Sequence, residues 1–278
     1  MEITLELIQN YQHHLYEDER STSTIEKYMR DIHSFYYFVG EKKISKEIVI
    51  AYKQSLLEKY QVSSLNSMLI SVHGFLDFLG LSSMKVKLLK VQRQLFIEKE
   101  KELTKQEYQR LLRTAKNQNN ERLYMLLQTI CATGIRVSEH QYITVEALHK
   151  GKAAICNKGK RRDIFISKSL RKILLQYCKK HHIQSGTIFV TRSGKPLNRS
   201  NIWSDMKKLC EHARVDKTKV FPHNLRHLFA FTYYRLEKDL VRLADILGHS
   251  SIETTRIYTK TSGYEYERKL NKMNLIDS

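Results

Sequence analysis

Residues 153–166 read Ala-Ala-Ile-Cys-Asn-Lys-Gly-Lys-Arg-Arg-Asp-Ile-Phe-Ile, the one stretch where a chain patterned for helices turns to strands. Two short β-prone runs, 153–156 and 163–166, flank the polar turn Asn157-Lys158-Gly159-Lys160, which is hairpin grammar. Outward from it the spacing is helical. Upstream, Thr104-Lys105-Gln106-Glu107 has capping-box form and opens a helix to about 115, and a second helix spans about 120–132 and breaks at Gly134. Downstream, helices are predicted around 169–181, 199–213, 223–236, 239–247 and 251–258, followed by a polar amphipathic tail from Tyr264.

The first 95 residues read as four helices. Ser23-Thr24-Ile25-Glu26 has capping-box form, and Ile25, Tyr28, Met29, Ile32, Phe35, Tyr36 and Val39 recur behind it at helical spacing until Gly40. Ser45 caps a helix through Ile48, Ala51, Tyr52, Leu56 and Leu57. Another runs from about 64 to 78 through Leu65, Leu69, Val72 and Leu76, and stops at Gly80. The amphipathic opening residues complete the set. Tyr36-Tyr37-Phe38 is expected to pack in the core rather than stack on bases. Residues 82–101 become basic and lose periodicity, which places a boundary there: one domain at 1–95, a linker at 96–101 and a second domain at 102–278. The fold class expected is mainly α with a small antiparallel β-sheet.

Composition narrows the function. A chain of 278 residues holds about two domains, and 41% apolar residues with only 2 prolines argue against long disorder. No apolar run approaches the ~20 residues of a membrane span, and the amino terminus lacks the pattern of a secretory signal. A cytoplasmic protein with no membrane partner is the expectation. Cys131, Cys156, Cys178 and Cys210 lie far apart without ligand spacing, so buried free thiols are expected and neither a metal site nor a disulfide framework. Glycine-rich nucleotide loops are absent, so no cofactor is expected. The formal net charge is +19, and it is uneven: residues 1–95 carry 12 basic and 11 acidic side chains, residues 96–278 carry 36 and 18. Such a field favours a polyanion over the alternative, a basic enzyme with a small substrate.

Four pieces concentrate the chemistry. They are Thr133-Gly134-Ile135-Arg136-Val137-Ser138-Glu139, the Lys158 turn, His223-Asn224-Leu225-Arg226-His227, and Leu247-Gly248-His249 with Tyr258 nine residues on. Singly each has an ordinary reading, as an ion pair, a solvated turn, a pair of histidines on one helix face or one of sixteen tyrosines. In this order they resemble the tyrosine recombinase/integrase family, whose pattern runs Arg, Lys, His-x-x-Arg, His, Tyr. The resemblance covers the whole chain. It implies an all-helical, SAM-like core-binding domain followed by an α+β catalytic domain, the two forming a C-shaped clamp on DNA.

The chemistry of phosphoryl transfer suits that set. Charge grows on the non-bridging oxygens of a phosphodiester under attack, and two guanidiniums, Arg136 and Arg226, offer rigid forks of permanent donors for it. A phenol of pKa about 10 is almost wholly protonated at pH 7, so Tyr258 as nucleophile needs a base, for which His223 is the candidate. Lys158 resembles the general acid that protonates the leaving sugar oxygen. His249 would donate to the phosphate, Glu139 would orient Arg136, and His227 would give support behind them. The turn is one residue shorter than the family's usual pattern. Aligned from its first strand the acid is Lys158, and aligned from its second strand it is Lys160.

The resemblance further implies a 3′-phosphotyrosyl intermediate, a Holliday junction, and a homo-tetramer on synapsed DNA whose core site carries inverted repeats. The tail at 264–278, with Tyr266, Leu270, Met273 and Leu275, would dock on a neighbouring subunit. DNA contacts are expected from Lys160, Arg161, Arg162, Arg199, Asn201, Lys207 and Lys208. Localisation would be cytoplasmic and nucleoid-associated. The alternatives are a type IB topoisomerase-like relaxase and a non-catalytic DNA-binding regulator. Integration, cointegrate resolution and chromosome-dimer resolution remain open at this level, with the compact size leaning toward a resolving, Xer-like role.

Overall fold

Short polar side chains set most helix starts. Thr4 accepts the Leu7 N–H at the head of α1 (Leu5–Glu17). The next helix, α2 (Thr22–Val39), departs from the expected start: Ser23 lies inside it, and the Ser21 hydroxyl meets the hydroxyls of Ser23 and Thr24 rather than a backbone N–H. Glu19, at φ 54°, turns the chain just upstream, so the helix can begin as soon as residue 22. Ser45 caps α3 (Lys46–Lys59) through the Ile48 N–H, and α4 (Val62–Phe78) follows.

The computed structural model describes residues 1–91, 102–157, 160–191 and 193–259, with Asn157 and Lys160 as backbone alone. The chain forms two compact units, Met1–Arg93 and Gln94–Ser278. In the first, α1–α4 enclose a core that includes Tyr11, Phe35, Tyr52, Leu69 and Phe75. Asp31 is buried within it and holds Lys27 and the Ser71 hydroxyl, each at 2.8 Å. The expected packing of Tyr36-Tyr37-Phe38 is corrected: Tyr36 is half-buried, whereas Tyr37 and Phe38 are 78% and 41% exposed. Helical period explains it, since turning Phe35 and Val39 inward points 37 and 38 away.

In the second unit the box at Thr104 closes in both directions at the head of α5 (Lys105–Asn117), and Asn120 caps α6 (Glu121–Thr133). A 3-10 turn (Val137–Tyr142) and α7 (Val145–Lys150) come next, two pieces too short for periodicity to announce. The hairpin pairs β1 (Lys152–Asn157) antiparallel with β2 (Lys160–Phe165), in register from Lys152 opposite Phe165 to Asn157 opposite Lys160. Its strands run deeper into the turn than predicted because Lys160, Arg161 and Arg162 continue the ladder. Alternation buries Ala153, Ile155 and Ile164 and leaves Cys156 exposed. The expectation of four buried thiols is therefore corrected: Cys178 and Cys210 are buried, and Cys131 is half-buried.

The remaining helices are α8 (Lys168–Lys180), α9 (Arg199–Ala213), α10 (Pro222–Glu237), α11 (Leu240–Leu247) and α12 (Ile252–Thr255), the last running into a 3-10 turn (Arg256–Thr259). A main core joins α5, α6, the hairpin, α8 and α9, while Ala230, Leu243, Leu247 and Tyr258 form a smaller cluster of their own. Among the described residues no helix is long and apolar enough to cross a membrane.

Candidate active site

Two glycines prepare the site. Gly134 ends α6 at φ 66° and Gly248 ends α11 at φ 63°, a left-handed region that glycine enters without steric cost. Space demands glycine as well. A Cβ on residue 134 would stand 2.3 Å from the Phe229 ring, and one on residue 248 would stand 2.2 Å from an Arg162 nitrogen. These helix ends expose carbonyls that hold the arginines. Arg226 donates to the carbonyls of Gly134 at 2.7 Å and Leu247 at 2.6 Å, and Arg136 donates to Gly248 at 3.1 Å. Segments 90 residues apart thus fix their guanidiniums on the consecutive carbonyls of 247 and 248.

Glu139 locks the first arginine. One carboxylate oxygen accepts the Arg136 side chain at 2.9 Å, and the other accepts its backbone N–H and an Arg162 N–H, each at 2.7 Å. The carboxylate is fully buried, which such a surplus of donors offsets. Arg162 stands opposite Ile155 in the hairpin and turns inward onto Glu139. Arg226 is 2% exposed, and burial lowers its pKa to about 10 with Arg136 adding to the fall, so it stays charged at pH 7.

Imidazoles fill the other side. His249 places Nδ1 at 2.8 Å from the Thr255 hydroxyl and Nε2 at 3.1 Å from an Arg226 donor, so Nε2 accepts and Nδ1 carries the proton. Burial, followed by Arg226 and Arg136, lowers its pKa to about 4. His223 and His227, one turn apart on α10, meet through their Nε2 atoms at 3.0 Å. His227 is lowered to about 4 by burial and then by His223, and His223 is lowered by desolvation and then by Arg226, Arg136 and Arg199. The His227 ring stands edge-on to Tyr258 with centroids 5.0 Å apart. Tyr258 is 3% exposed, and burial raises its pKa to about 12 although Arg226 pulls it down.

The structure therefore brings together Arg136, Glu139, His223, Arg226, His227, His249 and Tyr258. Lys158, the Lys160 side chain and the tail at 264–278 lie outside the described residues. Of the expected DNA contacts, Arg161, Arg199, Asn201 and Lys208 are exposed and Lys207 is half-buried. Sequence reasoning missed the supports: Arg162, the carbonyls of Gly134 and Leu247, and Thr255. Gly134 and Gly248 were the available signal, each beside a candidate residue.

Such a site can surround one tetrahedral anion with fixed positive charge while keeping a phenol and neutral imidazoles alongside. The phage integrase family matches residues 101–263, and the N-terminal SAM-like domain of phage integrases matches residues 8–81. Tyrosine recombinase XerA of Pyrococcus horikoshii is 25% identical over 285 residues, covering 99% of this chain and 96% of that protein. Among solved structures, a lambda integrase dimer bound to a COC′ core site matches with a TM-score of 0.75 at 15% identity, over 94% of this chain and 96% of that one. A lambda integrase tetramer bound to a Holliday junction matches at 0.74 and 16%, over 92% and 77%. The chain belongs to the phage integrase family and is a site-specific recombinase of the tyrosine type. The relaxase and regulator readings give way to it.

Proposed function

We propose that the enzyme cleaves and rejoins DNA through a 3′-phosphotyrosyl intermediate on Tyr258. The observation that carries this reading is the pair Arg136 and Arg226, held side by side on consecutive carbonyls within reach of three imidazoles and a buried phenol. Tyr258 Oη attacks the phosphorus, the bond to the 5′ oxygen breaks, and that oxygen leaves with a proton from Lys158. The phenolic proton passes to the His223–His227 pair, whose lowered pKa values keep it neutral and able to accept at pH 7. His227 is the imidazole in ring contact with Tyr258, which gives it a larger share than support alone. As the anion binds and supplies counter-charge, His249 takes up a solvent proton on Nε2, releases Arg226 and donates to the phosphate. The covalent link conserves the energy of the cleaved bond, so a second 5′ hydroxyl reverses the step on another strand.

A pair of cleavages followed by exchange, performed twice over, passes through a Holliday junction, and the four cleavage sites make four subunits the natural complement of two duplexes. The tail at 264–278 is the segment we assign to subunit docking. An apolar groove of 260 Å³ between α5 and α10, lined by Tyr108, Cys131, Phe229, Tyr233 and Leu236, is a receiving surface of suitable chemistry. Inverted repeats, resolution of DNA rather than arm-dependent integration, and residence on the nucleoid complete the reading, which the near-full-length match to an Xer protein supports. The test is incubation with a nicked core-site duplex. A denaturing gel should show a protein–DNA adduct that Tyr258→Phe abolishes, and the native mass of the complex should fall on truncation after Gly263. An adduct surviving Tyr258→Phe would overturn the assignment.

A further inference from the structure

The chain has a single tryptophan, Trp203, and it is 51% exposed. It sits on α9, whose inward face is already supplied by Ile202, Met206, Leu209 and Cys210, so the core does not require it. Charge surrounds it. The Lys207 ammonium stands 5.1 Å from the ring centroid, and Trp203 opens onto a groove of 570 Å³ bordered by Lys207, Lys208, Lys217 and Thr218, with Glu211 at one side. Lys207 is fixed there, since its ammonium also donates to the Lys217 carbonyl.

Position relates this patch to the site. Residues 199, 203 and 207 follow one another at i, i+4 and i+8, forming a stripe with steps of about 6 Å along the helix. Arg199 heads the stripe, and its charge is among those acting on His223. The stripe therefore begins within electrostatic reach of the catalytic cluster, and Trp203 lies about 6 Å along it, roughly the rise of two base pairs. Its outer members are cations suited to phosphates, and its middle member is apolar.

We propose that Trp203 determines sequence preference by packing on the C5-methyl of a thymine in the major groove, about two base pairs along the duplex from the phosphate that Arg199 holds. This rests on the reading of the cluster as a DNA-cleaving site. Thymine is the one base that presents a methyl group there, and contact with it discriminates without a hydrogen bond. Arg199 and Lys207, before and after the ring, hold the backbone and fix the register but carry no sequence information.

The experiment uses the full chain and a core half-site duplex selected by it from a random library. Because Trp203 is the only indole, its emission reports the contact directly, and DNA should quench it and protect it from acrylamide. Each thymine is then replaced by deoxyuridine, which lacks only the methyl. One position should weaken wild-type binding about fourfold, the worth of one buried methyl, and have no effect on Trp203→Ala. Trp203→Ala should still form the Tyr258 adduct at saturating protein. Unchanged emission and acrylamide access, or a deoxyuridine effect equal in both proteins, would overturn the proposal. Loss of the adduct in wild type would instead overturn the reading of the site itself.

Discussion

The arginine side and the tyrosine side of the site are held by different forces. Arg136 and Arg226 are fixed by directional bonds from permanent charges to a carboxylate and three backbone carbonyls. His223, His227 and Tyr258 are fixed mainly by ring packing, and burial moves all three pKa values. The first side is thus a pre-set mould of fixed donors, and Arg226 within it keeps its charge at pH 7. The second is a set of groups whose protonation is poised to change. Catalysis of phosphoryl transfer needs both, since stabilising an oxyanion requires preorganised donors while moving a proton requires groups that titrate.

The severest way to break the mould is Arg226→Lys. Charge is kept, but a single ammonium cannot reach Gly134, Leu247 and His249 together. Adduct formation at saturating DNA should fall on the order of 10²–10³-fold, the range for losing one oxyanion donor. Rates on a nicked duplex measure this. A loss below tenfold would mean that charge alone suffices.

Gly248→Ala attacks the same side through the backbone. Gly80 is a fitting control, because it also has positive φ, at 71°, yet has open space where a Cβ would stand. Gly80→Ala should cost about 1–2 kcal/mol in denaturant unfolding, for the left-handed conformation alone. Gly248→Ala adds the clash with Arg162 and should cost more, with a fall in adduct rate that Gly80→Ala does not show. Equal costs would mean that Arg162 swings aside freely and that its bond to Glu139 is dispensable.

What the sequence disclosed divides along the same line. Residues whose chemistry is specific, Arg136, His223, Arg226, His249 and Tyr258, stand in a recognisable order, and helical period with capping residues located most elements. The supports were not legible because backbone carbonyls have no sequence identity: nothing in Leu247 says that its oxygen holds Arg226. The bond from Arg162 to Glu139 was illegible for a related reason. In a run of three basic residues, only the register opposite Ile155 decides which one faces inward. Ser23 failed as a cap because Ser21, Thr22 and Thr24 offer the same oxygen, and only the turn at Glu19 selects among them.

The tyrosine side is sharpened by pH, with a smaller effect. His227 and His249 have folded pKa values near 4 against an ordinary 6.5, so both are neutral in either state above pH 6.5 and contribute no pH dependence there. As pH falls from 6.5 toward 4, the unfolded chain binds protons that the native site refuses, and native stability falls. Below 4 both states are protonated and the loss levels off. His227→Gln should remove up to one proton from that uptake and make Tm fall less steeply between pH 6.5 and 4, while leaving it nearly unchanged at pH 7.5. An equally steep fall in the variant would place the titration elsewhere. Bound DNA should oppose the trend, because a phosphodiester among the guanidiniums restores the negative charge that imidazolium needs. Affinity should therefore rise as pH drops through this window, beyond what Arg136 and Arg226 can produce, since their charge is the same at both ends of it.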